Sequence, residues 1–503
     1  MTTMRWRASL WPLLLLTGLA VAVRFPFFFP AVIDHDESTF LLIGQSWWNG
    51  FLPYTQVWDV KPPLLFGVFA GIIAVAGDSL VGIRLAGALC VSLTAWWVYL
   101  IGRRTWTIGA AAVSAAACVV LSSVLASGQA TMSEHVMLPL LMAAMVLWLR
   151  PELSSRAVFA IGGLLAAATL IRPNVGVTLL LLLALLARRR TGRAPAADVG
   201  LCLAGAALVT AAVALPFVAA GRGVELWNTA VVAAGVRAGV EGHPGDHLRA
   251  VLLSAVTTEH TGGVFWPVAT LWVLAGAAVV RASRLVPASR DLHVVRQLAI
   301  VLTSVIVGIV VSGGTYQHYW IQAVPFVALL ATSLLAERSR LSRLATHAAF
   351  VCALVLALPP IVGEYRGLIR RVAAGESLSH GAAYDIAAFL RRENPEQQPV
   401  VLLTDHLAYW LVGTLPPSRF AAHPSTLGRR QVLAVMGTTP EAEMTAMFSR
   451  SPMFVVLDES EVLEDAEAVA VLQQYLARDY VRQPSVGGRT LYRRAPMATA
   501  PRP

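Results

Sequence analysis

Long apolar runs, broken by short arginine-bearing turns, dominate the chain up to about residue 363, and run length decides what they are. A helix needs ~20 mostly apolar residues to cross a bilayer. Runs at 9–29, 80–101, 107–126, 135–149, 157–171, 174–187, 198–219, 262–280, 297–312, 319–336 and 344–362 meet or approach that length. The pattern therefore predicts a polytopic α-helical membrane protein with about 11 transmembrane helices. One further run, LLFGVFAGIIAVAG over 64–77, is too short for an ordinary crossing and reads as a re-entrant or tilted segment.

Beyond Glu364 the pattern becomes that of a water-facing domain. YDIAAFLRR has the spacing of an amphipathic helix, PVVLLTD and MFVVLDES read as buried strands, and AYWLVG as a short helix or strand, with Pro and Gly turns between them. The chain thus divides into a membrane part, 1–363, with a first external loop over 31–62, and a small C-terminal α/β domain over 364–503.

Composition agrees. With 56% hydrophobic and 14% charged residues and a mean hydropathy of +0.65, an ordinary soluble protein is excluded. The net charge of +10 does not indicate nucleic acid, because the arginines sit in short loops between apolar runs. That arrangement marks the cytoplasmic side of a membrane. The four cysteines, Cys90, Cys118, Cys202 and Cys352, lie inside apolar runs without CxxC spacing and read as small hydrophobes.

Topology follows from the same charges. Arg5 and Arg7 precede the first run, and FPFFFP offers no small-residue cleavage site, so an uncleaved first helix with a cytoplasmic N-terminus is expected. If 64–77 does not cross, the basic groups around Arg103, Arg150, Arg188, Arg290 and Arg340 all fall on one side. An odd number of crossings then places 364–503 outside the cytoplasm, in a bacterial-type inner (plasma) membrane.

Candidate chemistry concentrates in the external loops. The stretch DHDESTFLLIGQSWWNGFLPYTQVWDVKPP, Asp34–Pro63, carries Asp36, Glu37, Asp59 and Lys61, and its middle has the apolar face of a helix lying in the headgroup region. Lys61 is the only lysine among 39 basic residues, which suggests a requirement for a compact ammonium; a solvated loop with a snorkelling lysine is the plainer alternative. An acidic pair at a membrane surface suits a general base or a metal ligand, or equally a solvated loop. Glu134 opens a later helix in ATMSEHVML, where Ser133 could act as N-cap. Arg172 in LIRPNV could neutralise a phosphate or snorkel. GGTYQHYW offers Tyr316, His318 and Tyr319, of which aromatic anchoring explains the tyrosines better than the histidine. The loop EGHPGDHLR contributes Glu241, His243, Asp246 and His247, donor types for a divalent cation.

Taken together, DE after the first helix, KPPLL in the same loop, the acidic opening of ATMSE, the Arg-Pro turn and HYWIQAVPFVALLA resemble the C-type glycosyltransferase fold. The resemblance is to the polyprenyl-phosphate-sugar-dependent family 39 group, which includes protein O-mannosyltransferases and the lipid A aminoarabinose transferase, and it covers residues 1 to about 360 in order. It implies sugar transfer, with inversion, from a polyprenyl-phosphate donor to a lipid, glycan or protein acceptor on the extracytoplasmic face. On that reading Asp36, Glu37 and Glu134 are the catalytic carboxylates. Lys61, Arg172, His318 and Tyr319 contact the donor phosphate. A divalent metal ion, if used, is held by Asp36 with His243 and His247. The chain departs from the aminoarabinose branch in having Val60 where that branch has Glu before the lysine, with Asp59 one residue earlier. Nucleic acid is not expected as a partner. No nucleotide-binding fingerprint is present. A transporter or flippase, or a non-catalytic assembly protein of the cell envelope, are the competing classes; no inverted repeat with broken helices supports the first.

Overall fold

The computed structural model describes residues 10–189, 193–240, 244–255, 265–284, 289–313, 316–336, 340–459, 463 and 465–496, the side chains at 240, 244–247 and 424 aside. Every run expected to span is a helix. Among the described residues seven helices are long and apolar enough to cross a bilayer: Trp11–Phe28, Leu80–Thr105, Pro195–Ala219, Phe265–Arg284, Arg290–Val311, Gln317–Ala336 and Arg340–Ala373. Shorter apolar helices there are Pro63–Ala76, Ile108–Val124, Ser133–Trp148, Ser155–Thr169 and Pro173–Leu186. The protein is a multi-span membrane protein.

Contacts divide the chain into two compact units. The first comprises 1–28, 84–212 and 241–370; the second, 29–83, 213–240 and 371–503.

In the first unit the helix over Gln317–Ala336 is almost wholly buried, with Phe326, Ala328, Leu329 and Leu330 at 0% exposure. It packs on Phe265–Arg284 and Ile108–Val124. Outward-facing apolar side chains such as Trp266 and Val273 remain exposed, as a lipid solvent allows. The last long helix does not stop at the composition change near Glu364 but runs to Ala373. An amphipathic stretch carries it on, and Tyr365 Oη donates to the Ala22 carbonyl.

In the second unit the first loop is mostly helical. Asp34 caps His35–Trp48 by accepting from the Asp36 amide at 2.8 Å. The apolar residues of this helix are covered by Pro63–Ala76. Phe40 contacts Phe66 and Phe69, and Phe40, Leu41, Leu42 and Ile43 are fully buried. The two helices approach so closely that a Cβ at Gly44 would lie 2.7 Å from that of Phe69.

The C-terminal sheet has the order β1-β2-β4-β3, with β1 Val400–Leu402, β2 Phe454–Leu457, β3 Tyr480–Val486 and β4 Arg489–Arg494. β1 and β2 are parallel and carry the two runs read as strands; the other pairs are antiparallel. Helices over Ala382–Glu393 and Leu407–Val412 match the amphipathic and AYWLVG segments. The β3–β4 hairpin turns through Gly487 and Gly488 at φ +57° and +74°, a backbone that side-chain-bearing residues seldom adopt. Residues 221–261, expected as an external loop, form helices over Gly223–Trp227, Ala234–Val240 and Pro244–Ser254 where described, with a π-helical turn over Asn228–Ala233.

Candidate active site

In the second unit the helix starting at His35 and the KPP turn bring Asp36 and Lys61 together. Lys61 Nζ lies 2.9 Å from Asp36 Oδ2 and 3.6 Å from Asp59 Oδ2, and 4.8 Å above the Phe40 ring. Tyr54 Oη donates to the Lys61 carbonyl at 2.8 Å. Burial, with the charges of Asp59 and Glu225, pushes the Tyr54 phenol well above its ordinary pKa, so it stays a donor. The Asp59 carboxylate also accepts from the Val60 amide at 2.7 Å. Lys61 is therefore held from its backbone, with its ammonium over the Phe40 ring, while its side chain and the Asp36 carboxyl stay partly open, at 11% and 15% side-chain exposure. Glu37, in the same turn, is 1% exposed and has little access to a substrate.

The other oxygen of Asp36 faces a histidine that sequence reasoning missed. His423 Nε2 lies 3.3 Å from Asp36 Oδ1. The Ser425 amide donates to His423 Nδ1 at 3.2 Å, which leaves the ring hydrogen of the neutral imidazole on Nε2, the nitrogen nearest Asp36. The segment that carries His423 is anchored on the first loop. The Trp58 amide donates to the Arg419 carbonyl, Arg419 Nη1 donates to the Tyr54 carbonyl and to Glu225, and Trp58 packs on Phe420. Trp58 Nε1 in turn donates to Thr229 in the π-helical turn at 3.1 Å. His35 and His406 gather beside His423, with ring centroids 5.5–6.4 Å apart.

The first unit holds a separate cluster. Arg24, fully buried, donates to the carbonyls of Gly128, Gln129 and Ala130 and fixes the turn before Ser133–Trp148. Ser133 is the first residue of this helix and not its cap; His135 takes the capping role, its Nδ1 accepting from the Met132 amide at 3.3 Å. The Ser133 hydroxyl is thereby free to donate to Glu134 Oε2 at 3.0 Å and to accept from Arg172 Nη1 at 2.9 Å. Arg172 Nη1 also lies 2.8 Å from Glu134 Oε1, and its guanidinium stacks 4.0 Å over Tyr319. His318 Nε2 is 3.8 Å from the same Glu134 oxygen, and its ring meets Tyr319 edge-on. Four residues singled out separately in the sequence thus form one buried ion-pair cluster. The Asn174 amide, donating to Gln322 at 2.9 Å, ties the Arg172 turn to the segment bearing His318 and Tyr319.

The family model for dolichyl-phosphate-mannose-protein mannosyltransferases matches residues 60–218, beginning just before Lys61. No curated protein sequence matches the chain significantly. Solved structures do. ArnT from Cupriavidus metallidurans bound to undecaprenyl phosphate superposes with a TM-score of 0.62 at 15% identity, covering 98% of this chain and 100% of that one. The apo form gives 0.59 at 13% identity, with 95% and 97% covered. The oligosaccharyltransferase AglB from Archaeoglobus fulgidus, in complex with an inhibitory peptide and a dolichol-phosphate, gives 0.51 at 13% identity, covering 98% of this chain and 76% of that. The chain has the C-type glycosyltransferase fold.

Within this C-type fold the expected metal ligands are only partly in view. His243 lies outside the described residues, and His247 sits on Pro244–Ser254 with its side chain outside them. Asp36 meets an ammonium and an imidazole, and among the described residues no group of three His, Cys, Asp or Glu side chains is placed to hold a metal ion. No sequence signal marked His423: it stands in AAHPST, in a domain remote from Asp36 along the chain.

Proposed function

We propose that the chain is a glycosyltransferase that moves a sugar from a polyprenyl-phosphate carrier to a hydroxyl group of a lipid, glycan or protein acceptor on the extracytoplasmic face of a bacterial-type inner membrane. The observation that carries this reading is the Asp36–Lys61 pair, a carboxylate and the chain's one ammonium held side by side and partly open. The fold supports it, since its relatives bind undecaprenyl phosphate and a dolichol-phosphate.

Asp36 is the general base and Lys61 the donor to the carrier phosphate. An ammonium has three N–H groups, so Lys61 can keep Asp36 while directing another at a phosphate oxygen. The acceptor oxygen attacks the anomeric carbon as its proton passes to Asp36. The bond from that carbon to the phosphate oxygen breaks, its electrons stay on the phosphate, and Lys61 offsets the charge that develops there. Attack opposite the leaving phosphate inverts the anomeric centre. His423 orients Asp36. Within the first unit, Glu134 holds Arg172 beside His318 and Tyr319, a cluster with the charge to meet an anion. Glu37, buried, supports the helix turn that presents Asp36.

The test is transfer of radiolabelled sugar from a polyprenyl-phosphate pool to a membrane acceptor in proteoliposomes. Asp36→Asn should abolish transfer while the purified protein melts as the wild type does. Transfer by this variant at the wild-type rate would remove the assignment of Asp36, and no transfer by the wild-type protein would point to a transporter or a scaffold instead.

A further inference from the structure

A second cavity lies in the first unit and uses none of the residues assigned to transfer. Its volume is about 480 Å³, within the range of small-ligand sites, and its walls carry Arg150, Arg188, Arg189 and Arg290 together with His293. Three separate stretches supply these groups: the end of Ser133–Trp148, the end of Pro173–Leu186 and the start of Arg290–Val311. Among the described residues the wall includes no carboxylate; Glu152 and Asp291, the acids nearest in sequence, are not part of it.

One of the four guanidinium groups differs in role from the rest. Arg189 is structural: it donates to the Trp148 and Arg150 carbonyls at 3.3 and 3.1 Å and stacks 5.1 Å over the Trp148 ring. Trp148 is itself fixed by donating to Gln297 at 3.1 Å. Arg188, Arg290 and His293 are exposed around this rigid floor. Beside them the wall is apolar, with Leu149, Leu185 and Val294.

We propose that this cavity binds the phosphate headgroup of an anionic membrane lipid. The ligand must be an anion, since cationic side chains converge on one space with no carboxylate in its wall. It must also have an apolar portion, since Trp148, Leu149, Pro151, Leu185 and Val294 form most of the remaining wall, Gln297 being its one neutral polar side chain and already bonded to Trp148. A soluble phosphate ester would satisfy the arginines and leave that apolar wall without a partner. The positive-inside rule places this arginine-rich end at the cytoplasmic leaflet, where anionic lipids supply such headgroups. Basic cavities between helix ends are suited to this use.

Native mass spectrometry of the full-length, delipidated protein in detergent tests it, with dioleoylphosphatidylglycerol, dioleoylphosphatidylcholine and glycerol 1-phosphate as probes. Phosphatidylglycerol should bind about tenfold more tightly than phosphatidylcholine, and Arg188→Ala with Arg290→Ala should weaken it roughly fivefold per arginine removed. Equal affinity for the two lipids overturns the proposal. So does unchanged phosphatidylglycerol binding by the double variant. Displacement of the lipid by micromolar glycerol 1-phosphate would assign the cavity to a soluble ligand instead. Should the alanine variant fail to fold, the comparison of the two lipids on wild-type protein decides alone.

Discussion

Asp36 and Lys61, 25 residues apart in sequence, meet at 2.9 Å, and the lysine reaches this position across the face of Phe40. A slender stem under a compact head fits between a ring and a carboxylate; a planar guanidinium is wider and prefers a bidentate approach. Lys61→Met is expected to lower kcat/KM for sugar transfer by about 10²–10³-fold, the usual cost of losing a donor to developing charge. Lys61→Arg should recover only a small part of this loss, although it keeps the charge. Steady-state transfer assays on both variants check the point, and an arginine variant as active as wild type would mean that charge alone suffices.

His423 and Lys61 meet opposite oxygens of the same carboxylate, so removing the imidazole should leave Asp36 present, still paired with Lys61, but less sharply oriented. His423→Ala is expected to reduce kcat by about 10²-fold, the scale of a misplaced catalytic group, with KM little changed. His423→Gln places an N–H near the former Nε2 position and should restore most of the rate. If glutamine and alanine prove equally slow, a polar N–H beside Asp36 is not what matters.

What was legible in the sequence was what local pattern determines. Every apolar run expected to span became a helix, and the strands β1 and β2 stood out as VVLL and FVVL. Lys61 was conspicuous because it is unique, and Arg172, Glu134, His318 and Tyr319 because charge and imidazole at the edge of an apolar run demand partners. Their mutual pairing was not visible, since residues such as 134 and 318 meet only through tertiary packing. The β3–β4 hairpin went unread despite its Gly-Gly turn, because polar residues fill its strands and blur the alternation. That the apolar residues of the first-loop helix meet Pro63–Ala76 was not legible either, since amphipathic spacing does not say what covers an apolar face.

Glu134 and Arg172 are buried at 0% and 6% side-chain exposure, which makes each the other's compensation. Arg172→Leu strands a carboxylate in the interior and should cost about 3–5 kcal/mol of stability. Joining it to Glu134→Leu removes the stranded charge, so the double variant should be markedly more stable than the sum of the two single losses implies. Unfolding of the four proteins in mixed detergent micelles measures the coupling. Strict additivity would show that the pair does not interact as its geometry indicates.

His406 gives the second unit a pH dependence whose sign follows from its burial. The ring is 1% exposed, with Nε2 3.0 Å from the His35 carbonyl and 3.1 Å from Thr39 Oγ1, and Nδ1 3.1 Å from the Thr404 carbonyl. Burial first, then the neighbouring His35 and His423 rings, lower its pKa well below 6.5. The unfolded chain therefore takes up a proton near pH 6.5 that the folded protein refuses. Stability is undiminished above that pH and falls as pH drops through it, by at most about 1.4 kcal/mol per pH unit for this one group. Between pH 7.5 and 5.5 the melting temperature of wild type should fall more steeply than that of His406→Gln, which has nothing to titrate at this position; parallel curves would assign the acid sensitivity to other residues.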